Sequence, residues 1–176
     1  KSYRDLPCRY GETASLFRNE ASGELHGLTR IRQFTVSDGH SVILPEQAES
    51  EFEFGLSLSL KVLNALGLGG DVAYRLLTRG EIAEEAKKKY RGTDADWLAA
   101  ETALKNVTEK LGLSVYEDEG AAGANGPCLE LQFKNVFGKE DRLLSFQFDF
   151  GDGADYNLCY FDENGNKRTP WVIHRS

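Results

Sequence analysis

Apolar and polar residues alternate between Leu6 and Glu20, which predicts a strand over Thr13–Asn19. Leu28–Val36 reads as its antiparallel partner, and Gly23 and Gly27 free the connecting loop. From Pro45 the period changes. Phe52, Leu56, Leu60, Leu63 and Leu66 recur at helical spacing behind a proline that suits a helix start, and Gly67-Leu68-Gly69-Gly70 stops the run. Val72–Leu77 reads as a short strand and Glu81–Tyr90 as a charged, solvated helix. Asp94–Leu111 is a longer amphipathic helix closed by Gly112, with Asp94 and Asp96 where the helix dipole favours negative charge. Strands follow near Leu113–Tyr116, Leu129–Val136, Leu143–Phe150, Asn157–Phe161 and Thr169–His174, and Gly120–Gly126 is a loop of small residues. Asp162-Glu163-Asn164-Gly165 is a hairpin-turn signal. Strands, then helices, then an antiparallel meander predict an α+β domain: one antiparallel sheet flanked by helices, spanning residues 1–176.

Composition narrows the classes. A chain of 176 residues with 40% hydrophobic content can bury a substantial core. No apolar run approaches a membrane span and no signal-peptide pattern follows Lys1, so no membrane partner is expected. The chain contains no methionine, initiator included, so an internal piece of a longer protein, or one processed at both ends, is expected. Cys8, Cys128 and Cys159 share no metal-like or disulfide-like spacing, which favours a reducing compartment, the cytoplasm or an organelle. A net charge of −7 disfavours sequence-blind nucleic-acid binding, while leaving room for a local basic patch.

The densest chemistry lies between Phe17 and His40. Arg18 and Glu20 stand two apart on the predicted strand and so face one side; Arg30 and Arg32 do the same on its partner, followed by Phe34. A guanidinium fork binds phosphate and an aromatic face accepts a purine, so the set suits a nucleoside triphosphate. By spacing alone, Arg18–Glu20 reads first as a surface ion pair, Phe34 as a core residue, and Asp38 before Gly39 as a turn residue. His26 reads as an exposed loop residue, and no spacing rule joins His40 to His174.

Arg18-Asn19-Glu20-Ala21-Ser22-Gly23, Leu25-His26-Gly27-Leu28-Thr29-Arg30-Ile31-Arg32, Phe34-Thr35 and Asp38-Gly39-His40 together resemble motif 2 of the class II aminoacyl-tRNA synthetases, and among them the threonyl-tRNA synthetases. Similarity extends to Lys1-Ser2-Tyr3-Arg4-Asp5-Leu6-Pro7, Gly126-Pro127, Phe146-Gln147-Phe148-Asp149-Phe150 and Pro170-Trp171-Val172-Ile173-His174-Arg175, and is loose only between about Leu76 and Gly123. The resemblance implies ATP-dependent activation of threonine and its transfer to tRNA. It implies Arg18 on the α-phosphate and the amino-acid carboxylate, Glu20 on the adenine amino group, Arg30 on the γ-phosphate, and Phe34 stacked on adenine. Gln147 matches a substrate-side glutamine that also borders ATP, and Asp38 the carboxylate that meets the threonine hydroxyl. His40 and His174 match two ligands of a Zn2+ whose open position takes the amino and hydroxyl groups of threonine. Mg2+ with ATP and a homodimer of the full-length protein are implied too, with Glu130 a further candidate for magnesium or the ATP site.

Departures leave other functions open. The family pattern has glutamine where Val36 stands, tyrosine at Asn125 and lysine at Cys128. The cysteine ligand of zinc falls before Lys1 and motif 3 after Ser176, so the isolated piece is expected to be inactive. The alternatives are a ligase for a different amino acid, or a degenerate paralogue that binds tRNA or a protein.

Overall fold

The computed structural model describes residues 1–27, 29–81 and 88–176. The first strands are β1 (Cys8–Phe17) and β2 (Gln33–Ile43), followed by helix α1 (Ala48–Ala65), strand β3 (Val72–Thr78) and helix α2 (Asp94–Lys110). Strands β4 (Val115–Glu119), β5 (Cys128–Lys134) and β6 (Glu140–Asp149) come next, then the single-turn α3 (Asp152–Asp155). The chain closes through the hairpin β7 (Tyr160–Phe161) and β8 (Lys167–Arg168) into β9 (Trp171–Arg175). The helix expected over Glu81–Tyr90 falls mostly on residues 82–87, outside the described residues.

Both long helices follow their local sequence. Thr93 caps α2 by accepting from the Asp96 amide at 3.2 Å, while the Asp96 carboxylate accepts from the Thr93 amide at 2.7 Å. Leu66 caps α1 and Leu111 caps α2 at their C-terminal ends, each followed by a glycine of positive φ, Gly67 (+74°) and Gly112 (+66°). Those glycines let Leu68 and Leu113 donate back to the Leu63 and Thr108 carbonyls at 2.9 Å, satisfying the helix ends.

The large sheet has seven strands in the order β1-β2-β9-β6-β5-β3-β4. Neighbours run antiparallel except β3 and β4, which are parallel, so the sheet is mixed at one edge. The parallel pair arises because α2 lies between β3 and β4 and carries the chain back to the starting end, as a parallel crossover requires. One face is apolar: Ile43, Ile173, Phe146, Phe148, Leu129, Leu131 and Leu76 are buried with Phe52 and Leu56 of α1 and Trp97, Leu104 and Val107 of α2. Phe52 meets the Phe146 ring edge-on at 5.6 Å. The opposite face, read through the cross-strand register, aligns Tyr10, His40, His174, Gln147 and Cys128 in one row. Helices therefore cover one face of the sheet and leave polar side chains on the other.

Candidate functional site

A cavity of about 630 Å3 opens on the polar face, between the β1–β2 loop and the ends of β6 and β9. Arg18, Glu20, Arg30, Phe34, Asp38 and His174 all line it, joined by Val36 and Arg142. Six of the residues singled out in the sequence thus share one volume, of a size that holds a small-molecule substrate.

The loop differs from a simple strand pair. β1 stops at Phe17 and β2 begins at Gln33, so Arg18, Glu20, Arg30 and Arg32 lie beyond the strands on which the sequence placed them. Pairing persists one residue further, with the Arg18 amide donating to the Arg32 carbonyl at 2.8 Å. It then gives way to side-chain ties, because the loop between these positions is rich in small and polar residues that offer no ladder. Arg30 donates twice to Glu20 Oε2, at 3.2 and 3.0 Å, and also approaches Glu24 at 3.3 Å. Arg32 donates to the Glu20 carbonyl at 3.0 Å and to the Ser22 hydroxyl at 3.1 Å. The ion pair of Glu20 is therefore with Arg30 rather than Arg18, and the Arg30 hydrogen bonds hold the Glu20 carboxyl below its ordinary range. Arg18 is left facing the cavity, its guanidinium carbon 5.4 Å from the centre of the Phe34 ring. Phe34 is half-buried on the cavity wall and not part of the core.

At the other end, the sheet joins what the sequence keeps apart. His40 and His174 are directly opposed on β2 and β9, and their rings stack 4.4 Å apart at 11°. His174 Nε2 lies 2.6 Å from Asp38 Oδ1, and one ligand atom from each of Asp38, His40 and His174 falls within 4.8 Å of the others. Two imidazoles and a carboxylate at that separation fit a divalent ion. No cysteine joins this cluster among the described residues; Cys128 is buried, and burial pushes its thiol up to about 12. His40 also borders a smaller recess of about 280 Å3 with Asp152. Burial and then the Asp149 carboxylate raise the Asp152 carboxyl above its ordinary range, opposed by His40 and His174.

Other expected residues sit differently. Gln147 does not line the large cavity; it is the cross-strand neighbour of His174 on β6, with Cys128 on its other side. Glu130 does not offer a free carboxylate, since its oxygens meet Gln132 at 3.0 Å, Arg142 at 3.3 Å and Arg75 at 3.6 Å. His26 is exposed in the loop, as expected. Asn125 donates at 2.7 Å to Asp149, a buried carboxylate that also accepts from the Gly151 and Asp152 amides at 2.8 and 2.7 Å.

Arg142 was not legible in the sequence. Strict alternation along β6 sets it on the face opposite Ser145, but a register shift inserts Leu143, so Arg142 pairs with Gln132 and turns to the polar face. A bulge of this kind leaves no residue-type signature here.

Comparison with known proteins agrees with this arrangement. The family described as tRNA synthetase class II core domain (G, H, P, S and T) matches residues 1–176. The threonine–tRNA ligase of Clostridium botulinum (strain Eklund 17B / Type B) is 42% identical over 175 residues, which is 99% of this chain and 27% of that protein. The chain thus spans about a quarter of the length of the curated relatives it matches. A crystal structure of the RNA binding domain of threonyl-tRNA synthetase from Cryptosporidium parvum Iowa II superposes with a TM-score of 0.85 at 31% identity, over 100% of this chain and 42% of that one. The putative threonyl-tRNA synthetase ThrRS-1 of Aeropyrum pernix shares the fold, with a TM-score of 0.80 at 24% identity over 97% of this chain and 39% of that one. With its polar sheet face, its arginine-lined cavity and a match along its whole length, the chain belongs to the tRNA synthetase class II core domain family (G, H, P, S and T).

Proposed function

We propose that this chain is the motif 2 portion of the catalytic core of a threonine–tRNA ligase, which activates threonine with ATP and transfers it to tRNA. The observation that carries the reading is the shared cavity, with Arg18, Arg30 and Phe34 at one end and Asp38 and His174 at the other. ATP would lie along it, its adenine on Phe34 and its amino group on Glu20. Arg18, which makes no salt bridge among the described residues, would hold the α-phosphate and the amino-acid carboxylate together. Attack of that carboxylate on the α-phosphorus expels pyrophosphate, and the charge that develops on the phosphate oxygens is what a fixed guanidinium stabilises. Arg30 would reach the γ-phosphate by exchanging Glu20 and Glu24 for it.

His40 and His174 would hold a zinc ion, with Asp38 and Gln147 on the substrate side. Zinc, when bound, supplies a Lewis-acid position for the amino and hydroxyl groups of threonine, which valine cannot fill. The cavity's carboxylates, Glu20 and Asp38, already face Arg30 and His174, so Mg2+ would enter as its ATP complex. A second reading, a ligase for a different amino acid, is favoured by Val36 on the cavity wall where the family pattern has glutamine.

The test is amino-acid-dependent ATP–pyrophosphate exchange by the full-length protein, run with all twenty amino acids. Threonine-dependent exchange that Arg18→Ala abolishes while circular dichroism stays unchanged is the expected result. Exchange unaffected by Arg18→Ala removes its role, and exchange with another amino acid selects the second reading.

A further inference from the structure

Two cysteines that lie far apart in the sequence meet in the fold. Cys8 opens β1 and Cys159 immediately precedes β7; both are half-buried, and both line one cavity of about 380 Å3. Leu6, Val42, Leu158 and Pro170 make much of the remaining wall apolar. Cys128, buried in β5, does not line this cavity.

Separate contacts hold the two segments together. Cys8 packs against the buried cluster of Leu6, Leu44 and Tyr160, and Tyr160 is the chain neighbour of Cys159. The Phe161 amide donates to the Lys1 carbonyl at 2.9 Å, and Ser2 and Phe161 form a parallel bridge. Side-chain packing and backbone pairing thus both fasten the stretch that carries Cys159 to the stretch that leads into Cys8. The Cys8 thiol donates to the Asp5 carbonyl at 3.1 Å, and Lys1 Nζ lies 3.8 Å from its sulfur. An ammonium at that distance offers a counter-charge to an anionic thiol reagent such as glutathione.

We propose that Cys8 and Cys159 close into a reversible intramolecular disulfide by exchange with a low-molecular-weight disulfide of the glutathione type. Cys8, its proton released to solvent, attacks one sulfur of the glutathione disulfide; that S–S bond breaks and one glutathione thiolate leaves. Cys159, deprotonated in turn, attacks the Cys8 sulfur, displaces the second glutathione and closes the bridge. Two protein thiols are oxidised, one glutathione disulfide is reduced to two thiols, and the two protons end on the leaving groups. A reducing compartment keeps the pair open, and the bridge forms when the thiol pool shifts toward disulfide. Leu158 also walls the recess beside His40, so the bridge would tie β1 to the segment that borders the candidate metal site.

The test is to treat the full-length protein with oxidised glutathione at pH 8, block the remaining thiols in denaturant, and digest with trypsin without reductant. The expected product is peptide 5–9 joined to peptide 143–167, separated again by dithiothreitol, with peptide 111–134 unlinked. Glutathione retained on either of the first two peptides without the link, or both cysteines recovered as free thiols, overturns the proposal. Cys159→Ser supplies a second measurement, because it removes only the closing thiol. It should hold glutathione on Cys8 at least about tenfold longer than the parent does, since an attack within the chain outpaces one from solution. Equal lifetimes in the two proteins also overturn the proposal.

Discussion

Replacing Asn125 by alanine is expected to destabilise the chain through one hydrogen bond. The Asn125 amide donates at 2.7 Å to Asp149 Oδ2, while Asp149 Oδ1 takes the Gly151 and Asp152 amides. Asp149 is 8% exposed, so water cannot readily replace the lost donor. A hydrogen bond to a charged group contributes about 1.5–3 kcal/mol. For a chain of this size each kcal/mol moves the melting temperature by about 2–4 °C, so Asn125→Ala should melt about 3–12 °C lower. Differential scanning calorimetry measures this directly. The same substitution made in an Asp149→Asn background closes a double-mutant cycle. There the Asn125 side chain flips so that its oxygen accepts from the new amide, a neutral bond that contributes only about 0.5–1.5 kcal/mol, so the cost of losing Asn125 should shrink by roughly half. Equal costs in the two backgrounds, or a drop below roughly 1 °C in the first, would refute the idea that Asn125 serves to hold a buried carboxylate. A confirmed effect would give this position a structural role in place of the substrate-side phenol that the family pattern carries there.

The remaining predictions concern the same face of the sheet. At pH 8, Cys8 and Cys159, both half-buried, should react with a thiol reagent while Cys128, its thiol pushed up to about 12, reacts only in denaturant; rapid labelling of Cys128 in the folded chain would contradict its burial. His40→Ala should lower zinc content measured on the metal-loaded chain, and equal content in both proteins removes His40 as a ligand. Glu20 has a lowered folded pKa, so its tie to Arg30 stabilises the loop above the unfolded carboxyl value of about 4.3 and is lost as pH falls through the lower folded value. The Arg30 Nε–H signal should follow that acid transition and lose it in Glu20→Gln; an unchanged titration would place the pair elsewhere.

Helices α1 and α2 and most strands were legible because their signals are local. Period and punctuation mark α1 and α2, where apolar spacing, the Thr93–Asp96 cap and the closing glycines act within a few residues of one another. The Asp162–Gly165 turn between β7 and β8 is local in the same sense. Sequence alone also picked out Arg18, Glu20, Arg30, Phe34 and Asp38, whose residue types and order carry the family resemblance, and these do line one cavity. Pairing across the sheet could only come from the tertiary structure. His40 and His174 are opposed because β9 inserts between β2 and β6, a choice made by long-range register that no spacing between the two residues encodes. The same holds for the parallel β3–β4 edge, for the bulge that turns Arg142 toward the cavity, and for the partner exchange that joins Glu20 to Arg30. Arg175 is the clearest instance. In the sequence it is one arginine beside a histidine; only packing between Gly39 and Gly55 buries its Nε and leaves a charged donor without an acceptor. Local preferences act between neighbours in the chain, whereas burial, charge balance and register depend on which distant segments meet.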